Sequence, residues 1–183
     1  MNATETKLKG CFIIEPRVFK DSRGYFFECF NSEKFEELTG QSGRFVQDNQ
    51  SASIYGVVRG LHFQKGEHAQ AKLVRVLEGK VLDVAVDIRE NSETYGEYVS
   101  VELSAENNLQ LYVPRGFAHG FSVLSETAVF AYKCDNVYNK DSEGGIHYND
   151  PFLNINWEIP VDKMVLSEKD LVLPFLSSVE VFG

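Results

Sequence analysis

Apolar and polar residues alternate along several short stretches of this chain, a pattern typical of β-strands with one buried face. In the clearest stretch, 81–89, apolar residues take every second position, while Asp83, Asp87 and Arg89 lie on the opposite face. Gly79 precedes this stretch and predicts a tight turn there. The other predicted strands are 73–77, 98–103, 109–113 and 127–134.

One helix is predicted ahead of these strands. Asn31 and Ser32 can cap its first turn, and Gly40 can end it. Phe35 and Leu38 are spaced to form an apolar stripe along one side. The sequence therefore predicts one short amphipathic helix between these caps.

The spacing of the strands indicates the fold class. They follow one another about every ten residues without intervening helices, which favours an antiparallel sandwich or barrel over a parallel α/β sheet. A second short turn or helix is predicted near Ser167–Leu171, and no repeat or linker divides the chain. We therefore predict a single all-β domain over residues 1–183, a sandwich or barrel with a few short helices.

Composition and charge narrow the possible functions. The chain has 183 residues, of which 43% are hydrophobic and 25% charged, and its formal net charge is −9. This charge argues against a nucleic-acid-binding surface, which needs clustered Lys and Arg. A small anionic substrate would therefore need a local basic cluster.

The termini and the cysteines predict a cytoplasmic protein. No apolar run has the length of a signal peptide, and none approaches the roughly 20 apolar residues of a membrane span. Cys11, Cys29 and Cys134 are odd in number and match no zinc or CxxC spacing. We predict buried, reduced thiols in a protein that contacts no membrane.

Two histidines, His62 and His119, lie in glycine-flanked segments beside other polar residues. The spacing from Pro114 through Gly116 to His119 resembles the second half of the cupin metal motif. The first half requires a further His and a Glu, but Gln64 follows His62 and no such Glu is evident. Because a catalytic metal site needs about three protein ligands, we predict that no metal is bound.

Without a metal, His62 is a candidate general base, since a free imidazole accepts a proton near neutral pH. Arg59 precedes it by three residues and Lys72 lies on the next strand, so both can frame a pocket for an anionic substrate or a developing oxyanion. Tyr132 is either a core aromatic or a proton donor facing that pocket. The sequence alone does not place Tyr132 opposite His62, and ordinary structural roles stay open for all four residues.

Eight ordered segments carry a more specific signal, among them VRGLHFQ at 58–64 and PRGFAHGF at 114–121. The others are 21–28, 45–51, 70–74, 132–134, 145–151 and 166–170. From about Gly10 to about Phe175 the chain resembles the dTDP-4-dehydrorhamnose 3,5-epimerase family of the cupin superfamily. The resemblance implies a cupin-type jelly-roll barrel, normally a homodimer without a cofactor. It also implies inversion of C3 and C5 of dTDP-4-keto-6-deoxy-D-glucose, in dTDP-L-rhamnose biosynthesis.

The resemblance implies four catalytic residues. His62 is the expected base, and Asp170 is the carboxylate that orients it. Lys72 is expected to stabilise the enolate oxygen. Tyr132 is expected to act as the acid on the other face of the sugar.

The resemblance also implies a larger set of substrate contacts. Arg59 and His119 are expected to contact the sugar or its diphosphate, and Tyr138 to stack on the thymine. The residues expected to help hold the nucleotide are Gln47, Asp48, Asn49, Glu143 and Lys169. The residues expected to reach the site from the partner chain are Phe19, Arg23 and Glu28.

Two departures from the family pattern concern substrate preference. Gln50 stands where the family often has His, and His147–Tyr148 where it often has Arg–Trp or a similar pair. Related enzymes epimerise only C3 or only C5, or move the keto group between C3 and C4. The His–Asp pair and Tyr132 favour an epimerase. They do not indicate whether one carbon or both carbons are inverted. A non-catalytic sugar-nucleotide-binding cupin and a metal-dependent cupin are weaker alternatives.

Overall fold

The computed structural model describes residues 1–179, so the last four residues of the predicted domain, 180–183, lie outside the described part. That part contains thirteen strands and one α-helix. The strands are β1 (Asn2–Glu5), β2 (Phe12–Glu15), β3 (Phe19–Asp21), β4 (Gly24–Phe26), β5 (Gln47–Ile54), β6 (Val58–Gln64), β7 (Lys72–Glu78), β8 (Lys80–Asp87), β9 (Tyr98–Ser104), β10 (Gln110–Val113), β11 (Phe117–Val123), β12 (Thr127–Cys134) and β13 (Glu143–Gly145). The helix is α1 (Ser32–Thr39), and short 3₁₀ helices span Gly66–His68, Lys140–Ser142, Val161–Lys163, Asp170–Val172 and Leu176–Ser178.

The strands form two antiparallel sheets that pack face to face. The six-stranded sheet has the order β1-β2-β10-β7-β12-β5, and the five-stranded sheet has the order β13-β6-β11-β8-β9. β3 and β4 form a separate hairpin. This arrangement confirms the predicted all-β jelly-roll of the cupin type.

Side chains between the two sheets form the main hydrophobic core. Val74 and Phe130 enter it from the six-stranded sheet, and Ala85 and Phe121 from the five-stranded sheet. The rings of Phe121 and Phe130 stack with their centroids 4.2 Å apart. Because each buried side chain of this size stabilises the fold by roughly 1.5–3 kcal/mol, such contacts hold the sheets together.

The predicted alternation of β8 is confirmed, but both of its faces are buried. Leu82, Val84 and Val86 pack in a second hydrophobic cluster that includes Trp157 from the C-terminal segment. Asp83, on the opposite face, is fully buried. The polar side of this strand therefore places a carboxylate inside the protein.

The predicted helix is confirmed as α1, but its buried stripe differs from the prediction. Asn31 caps the first turn, and Gly40 ends the helix in the left-handed conformation with φ 66°. Phe35 and Thr39 are buried, whereas Leu38 is 41% exposed. The prediction for Leu38 is wrong because the helix turns the row through Phe35 and Thr39 toward the sheet.

Sequence alternation missed several strands that carry site residues. β5 has the mostly polar sequence QDNQSASI, and β6 and β11 contain glycines, which are depleted in strands. Tertiary pairing makes them strands all the same. β5 pairs with all of β12, and β11 lies between β6 and β8.

The three cysteines are unpaired, as predicted. Cys11 and Cys134 are buried, but Cys29 is only half-buried, so the prediction of burial is wrong for Cys29. Within residues 1–179, no helix is long and apolar enough to cross a membrane.

Candidate active site

A cavity of about 530 Å³ lies between the two sheets, within the size range of small-molecule sites. Seven residues predicted from the sequence line it: Arg59, His62, Lys72, His119, Tyr132, Lys169 and Asp170. The other nine lining residues were not predicted, among them Ser51, Phe121, Phe130 and Ser167. The sequence motifs therefore converge on one cavity.

His62 and Asp170 form a close pair on one wall of this cavity. Nε2 of His62 lies 2.6 Å from Oδ1 of Asp170. An ionised carboxylate can only accept a hydrogen bond, so Nε2 carries the proton and Nδ1 holds the lone pair. Asp170 is buried, while the His62 side chain is partly exposed. The pair thus presents an imidazole base of defined tautomer.

Asp170 is held by several groups besides His62. Burial by itself would raise the pKa of the Asp170 carboxyl. The hydrogen bond and charge of His62, with the Gly60 N–H and Ser167, outweigh burial and hold this pKa below its ordinary value. Asp170 is therefore ionised at neutral pH and can stabilise a protonated His62.

Lys72 on β7 and Tyr132 on β12 line the same cavity from the other sheet. Nζ of Lys72 lies 5.9 Å from the centroid of the Tyr132 ring. No carboxylate of residues 1–179 forms an ion pair with Lys72. Burial lowers the pKa of Lys72, and the charges of groups such as Asp83 and Glu143 oppose that shift only in part. An anion bound in the cavity would supply the missing partner.

The Tyr132 hydroxyl is a weak acid, which gives its proton only to a strong base such as a carbanion. Burial raises the pKa of Tyr132, nearby Cys134 adds to the shift, and Arg59 opposes it. The phenol is therefore protonated at neutral pH. Tyr132 and His62 thus line the cavity from different sheets.

His119 forms a second histidine–carboxylate pair, with Asp83, which sequence analysis did not predict. Nε2 of His119 lies 2.9 and 3.0 Å from the two Asp83 carboxylate oxygens, and both side chains are buried. The strand register places His119 opposite His62. Asp83 was visible in the sequence as a carboxylate on an alternating strand, but the pattern did not say that its face points inward.

Cationic side chains lie around the cavity. Nε and Nη2 of Arg59 lie 3.2 and 3.1 Å from Oγ of Ser53, a residue of β5 that was not predicted. Lys169 forms an ion pair with Glu143, and the Tyr138 hydroxyl donates to Oε2 of Glu143 at 3.2 Å. Three residues predicted to contact the nucleotide thus form one hydrogen-bonded group beside the cavity.

The predicted nucleotide-binding stretch on β5 is divided between two faces. Asn49 pairs with Tyr132, and Gln47 donates from Nε2 to Oδ1 of Asn49 at 3.0 Å, so both lie on the face of Tyr132. The Asp48 carboxylate instead lies 3.0 Å from Nζ of Lys133. Because successive strand residues point to opposite faces, Asp48 does not reach the cavity of its own chain.

Phe19, Arg23 and Glu28 also lie outside this cavity. Arg23 forms an exposed ion pair of 2.6 Å with Asp21, and Glu28 lies 2.8 Å from Nζ of Lys34. One chain does not bring these three residues together with His62. Their expected role depends on a second chain.

Gln64, the residue at which the chain departs from the cupin metal motif, has structural contacts instead. Within residues 1–179, no group of three or more His, Cys, Asp or Glu side chains is placed to hold a metal ion. Gln64 donates from Nε2 to the carbonyl oxygens of His68 and Val137 at 3.0 and 3.3 Å. Gln64 therefore secures the end of β6.

Together, these groups suit proton transfer at an acidic carbon. A base of fixed tautomer occupies one wall, and a protonated phenol and an ammonium without an ion-pair partner in residues 1–179 occupy the other. Such a set can remove a proton, stabilise the resulting oxyanion and return a proton from a different direction.

Comparison with known proteins identifies one family. Residues 5–178 match the family model described as dTDP-4-dehydrorhamnose 3,5-epimerase. A curated protein of that name from Shigella flexneri is 53% identical over 171 residues, 93% of each chain.

Two solved structures are similar over nearly the whole chain. The dTDP-4-dehydrorhamnose 3,5-epimerase of Elizabethkingia anophelis is 64% identical, with a TM-score of 0.95 over 100% of this chain and 99% of that one. The epimerase of Legionella pneumophila, solved in complex with dTDP-4-keto-L-rhamnose, is 49% identical, with a TM-score of 0.93 over 98% and 94% of the two chains.

Proposed function

The chain belongs to the dTDP-4-dehydrorhamnose 3,5-epimerase family, and on this premise we propose how its residues invert C3 and C5 of dTDP-4-keto-6-deoxy-D-glucose. The enzyme is an isomerase of dTDP-L-rhamnose biosynthesis. We place it in the cytoplasm, a compartment that keeps thiols such as its three unpaired cysteines reduced.

The 4-keto group makes one site sufficient for both carbons. A proton on a carbon beside a ketone is acidic because the resulting anion delocalises onto the carbonyl oxygen. C3 and C5 both flank that carbonyl, so one base and one stabiliser of the enolate oxygen serve both positions once the sugar ring adjusts between steps. Inversion additionally requires a proton from the opposite face.

His62 removes the proton through Nδ1, the nitrogen that the Asp170 contact leaves free to accept. Asp170 keeps the imidazole in this tautomer and stabilises the imidazolium after transfer, as the carboxylate does in hydrolase triads. The 2.6 Å contact is short, as charge-assisted hydrogen bonds are.

Lys72 stabilises the negative charge that develops on the sugar O4. Its ammonium lines the cavity without an ion-pair partner within residues 1–179, so the enolate oxygen completes its surroundings. A preorganised donor at an oxyanion accelerates a reaction by about 10²–10³-fold. Arg59 and the group formed by Lys169, Glu143 and Tyr138 bind the diphosphate and base, with Gln47 and Asn49.

Tyr132 returns the proton on the other face of the carbon. The carrying observation is that His62 and Tyr132 come from opposite sheets and line one cavity. A monoepimerase would use the same pair at one carbon only.

Proton NMR of the substrate in D₂O tests this function. Incubation with the enzyme should replace both the C3 and C5 protons by deuterium and yield the 4-keto-L-rhamnose configuration. Exchange at one carbon, with the other proton retained, would identify a monoepimerase instead. Movement of the keto group to C3 would identify a ketoisomerase.

A homodimer with shared sites completes this proposal. The β3–β4 hairpin exposes Phe19 (52%), Tyr25 (64%) and Phe26 (70%). Large apolar side chains grouped in this way are typical of a protein–protein interface. Docking of this hairpin on a second chain would bury them and carry Arg23 and Glu28 toward the partner's cavity.

Mixing two inactive variants should restore activity if the sites are shared. Arg23→Ala and His62→Asn chains, dissociated and re-formed together, give heterodimers with one site that holds both groups. By statistical pairing, about a quarter of the wild-type activity should return. Mixing is followed by mass or tag analysis and by the exchange assay.

The control mixes chains that carry Lys72→Met with chains that carry His62→Asn. Both residues line the cavity of their own chain, so their heterodimers should stay inactive. Arg23→Ala heterodimers that form but stay inactive would contradict the shared site, as would a monomer at assay concentration.

A further inference from the structure

One short segment, residues 145–150, contacts both parts of the chain that carry the His62–Asp170 pair; we call it the anchor segment. On one side it meets β6, which carries His62. On the other side it meets residues 166–176, called the strap, which carry Asp170. His62 and Asp170 are far apart in sequence. The distance between their side chains therefore depends on the contacts that hold β6 and the strap together.

The anchor segment is hydrogen-bonded to β6 at the position of His62. Gly145 is the strand partner of His62. Beyond it, Ile146 N donates to Leu61 O at 2.9 Å, and Leu61 N donates to Ile146 O at 3.1 Å. The backbone beside His62 is therefore registered against the anchor segment.

The strap contacts the same anchor segment over its last part, from Leu173 to Leu176. Leu173 packs so closely on Gly145 that an added Cβ there would lie 2.8 Å from its methyl groups. His147 N donates to Pro174 O at 2.8 Å. The part of the strap that comes after Asp170 therefore runs alongside the anchor segment.

Asp150 makes the last of these contacts and is the only carboxylate among them. It is buried, and its Oδ1 accepts the N–H groups of Phe152 and Leu153 at 2.9 and 3.0 Å. Its Oδ2 accepts the N–H of Leu176 at 2.7 Å, where the strap ends. Leu176 is itself buried in the second hydrophobic cluster. One carboxylate thus joins the anchor segment's own turn to the end of the strap.

We propose that Asp150 is a positioning residue for the reaction, which sets the geometry of the His62–Asp170 pair by fastening the strap to the segment that pairs with His62. The inference rests on the proposed role of His62 as the base. Gly60 and Ser167 also form hydrogen bonds with Asp170. Asp150 is therefore one of several residues that set the position of Asp170.

Asp150→Asn isolates the strap contact. The two turn amides keep an oxygen acceptor, since the side-chain oxygen of Asn can occupy the Oδ1 position. The NH₂ group then replaces Oδ2 and meets the Leu176 N–H, so two donors face each other and the tether is lost. Local folding of the turn at 150–153 is retained.

Three measurements follow the effect of Asp150→Asn. kcat should fall by about tenfold or more while KM changes by less than about twofold, since misplacement of a catalytic group affects the chemical step. The downfield proton resonance of the His62–Asp170 hydrogen bond, assigned by its loss in His62→Asn, should weaken or shift. The Leu176 and Asp170 amides should exchange faster with D₂O.

Asp87→Asn is the matched control for lost stability. Asp87 is another buried carboxylate, bonded to Arg89, Ser92 and Thr94 away from the strap. This control should lower the melting temperature but leave kcat and the downfield resonance unchanged. Equal loss of kcat in both variants would reduce Asp150 to a structural residue and overturn the proposal.

The outcomes separate this inference from the proposed function. If His62→Asn is inactive but Asp150→Asn keeps the wild-type kcat and resonance, the positioning role is wrong and the base assignment stands. If His62→Asn keeps full exchange, the base assignment itself is wrong. Should Asp150→Asn not fold, native-state exchange of the wild type decides. The amides of Leu176 and Asp170 should then exchange at similar rates, as groups that become exposed in one opening event. Much faster exchange at Leu176 would contradict the proposed positioning role.

Discussion

Replacing His62 by Asn is expected to reduce solvent exchange of the substrate's C3 and C5 protons by about 10²–10⁴-fold, the contribution of a general base. Asn keeps a polar group beside Asp170 but has no nitrogen that takes a proton at neutral pH. Both half-reactions begin with abstraction, so exchange and net epimerisation should be lost together. Proton NMR in D₂O measures the two rates in one sample.

His68→Asn is the matched control, because His68 lies outside the cavity and contacts Asn139. It should leave both rates unchanged. dTDP binding by His62→Asn, measured by calorimetry, should stay close to wild type if the site is intact. If a folded His62→Asn enzyme exchanged the C3 and C5 protons at the wild-type rate, the assignment of His62 as the base would be wrong.

Replacing Tyr132 by Phe is expected to slow complete epimerisation by about 10²–10⁴-fold, with a smaller effect on the first exchange event. The variant keeps the ring that packs near Lys72 and removes only the hydroxyl. His62 still abstracts and returns protons on its own side. Deuterium should therefore enter C3 or C5 with retained configuration, while inverted product accumulates slowly.

Tyr112→Phe provides a comparison at a buried phenol outside the cavity. Burial raises the pKa of Tyr112 to about 12, and its ring packs with Phe35 in a different cluster. This variant should retain wild-type exchange and inversion. If Tyr132→Phe slowed exchange and inversion equally, Tyr132 would be serving the abstraction step instead of returning the proton.

The placement of cations explains how a protein of net charge −9 can bind an anionic nucleotide sugar. Arg59, Lys72 and Lys169 all line the cavity. Lys72 has no ion-pair partner within the described residues, and Arg59 contacts only a hydroxyl there. Asp170 is the one carboxylate among the lining residues and is paired with His62, so cationic side chains outnumber it in the cavity and suit an anionic ligand.

The sequence by itself determined much of the fold. Period-two alternation identified strands such as 81–89 and 127–134, because successive residues of a strand point to opposite faces. The caps at Asn31 and Gly40 identified the helix through local hydrogen bonding alone. The spaced motifs around His62 and His119 identified the family and with it the reaction.

Only the tertiary structure decided which side chains meet. β5 became a strand through its pairing with β12, against its own polar composition. That register turned Asn49 toward Tyr132 and Asp48 away from it, since a shift of one residue reverses every side chain. Asp83 is directed inward in the same way, and its contact with His119 is invisible to a local pattern.

The pairing of His62 with Asp170 is likewise a product of the folded state. The two residues are 108 positions apart, and no local preference links them. Their distance depends on the strap and on the anchor segment, fastened in part by Asp150. Local sequence sets backbone shape and burial pattern, whereas long-range hydrogen bonds and packing set the separations on which proton transfer depends.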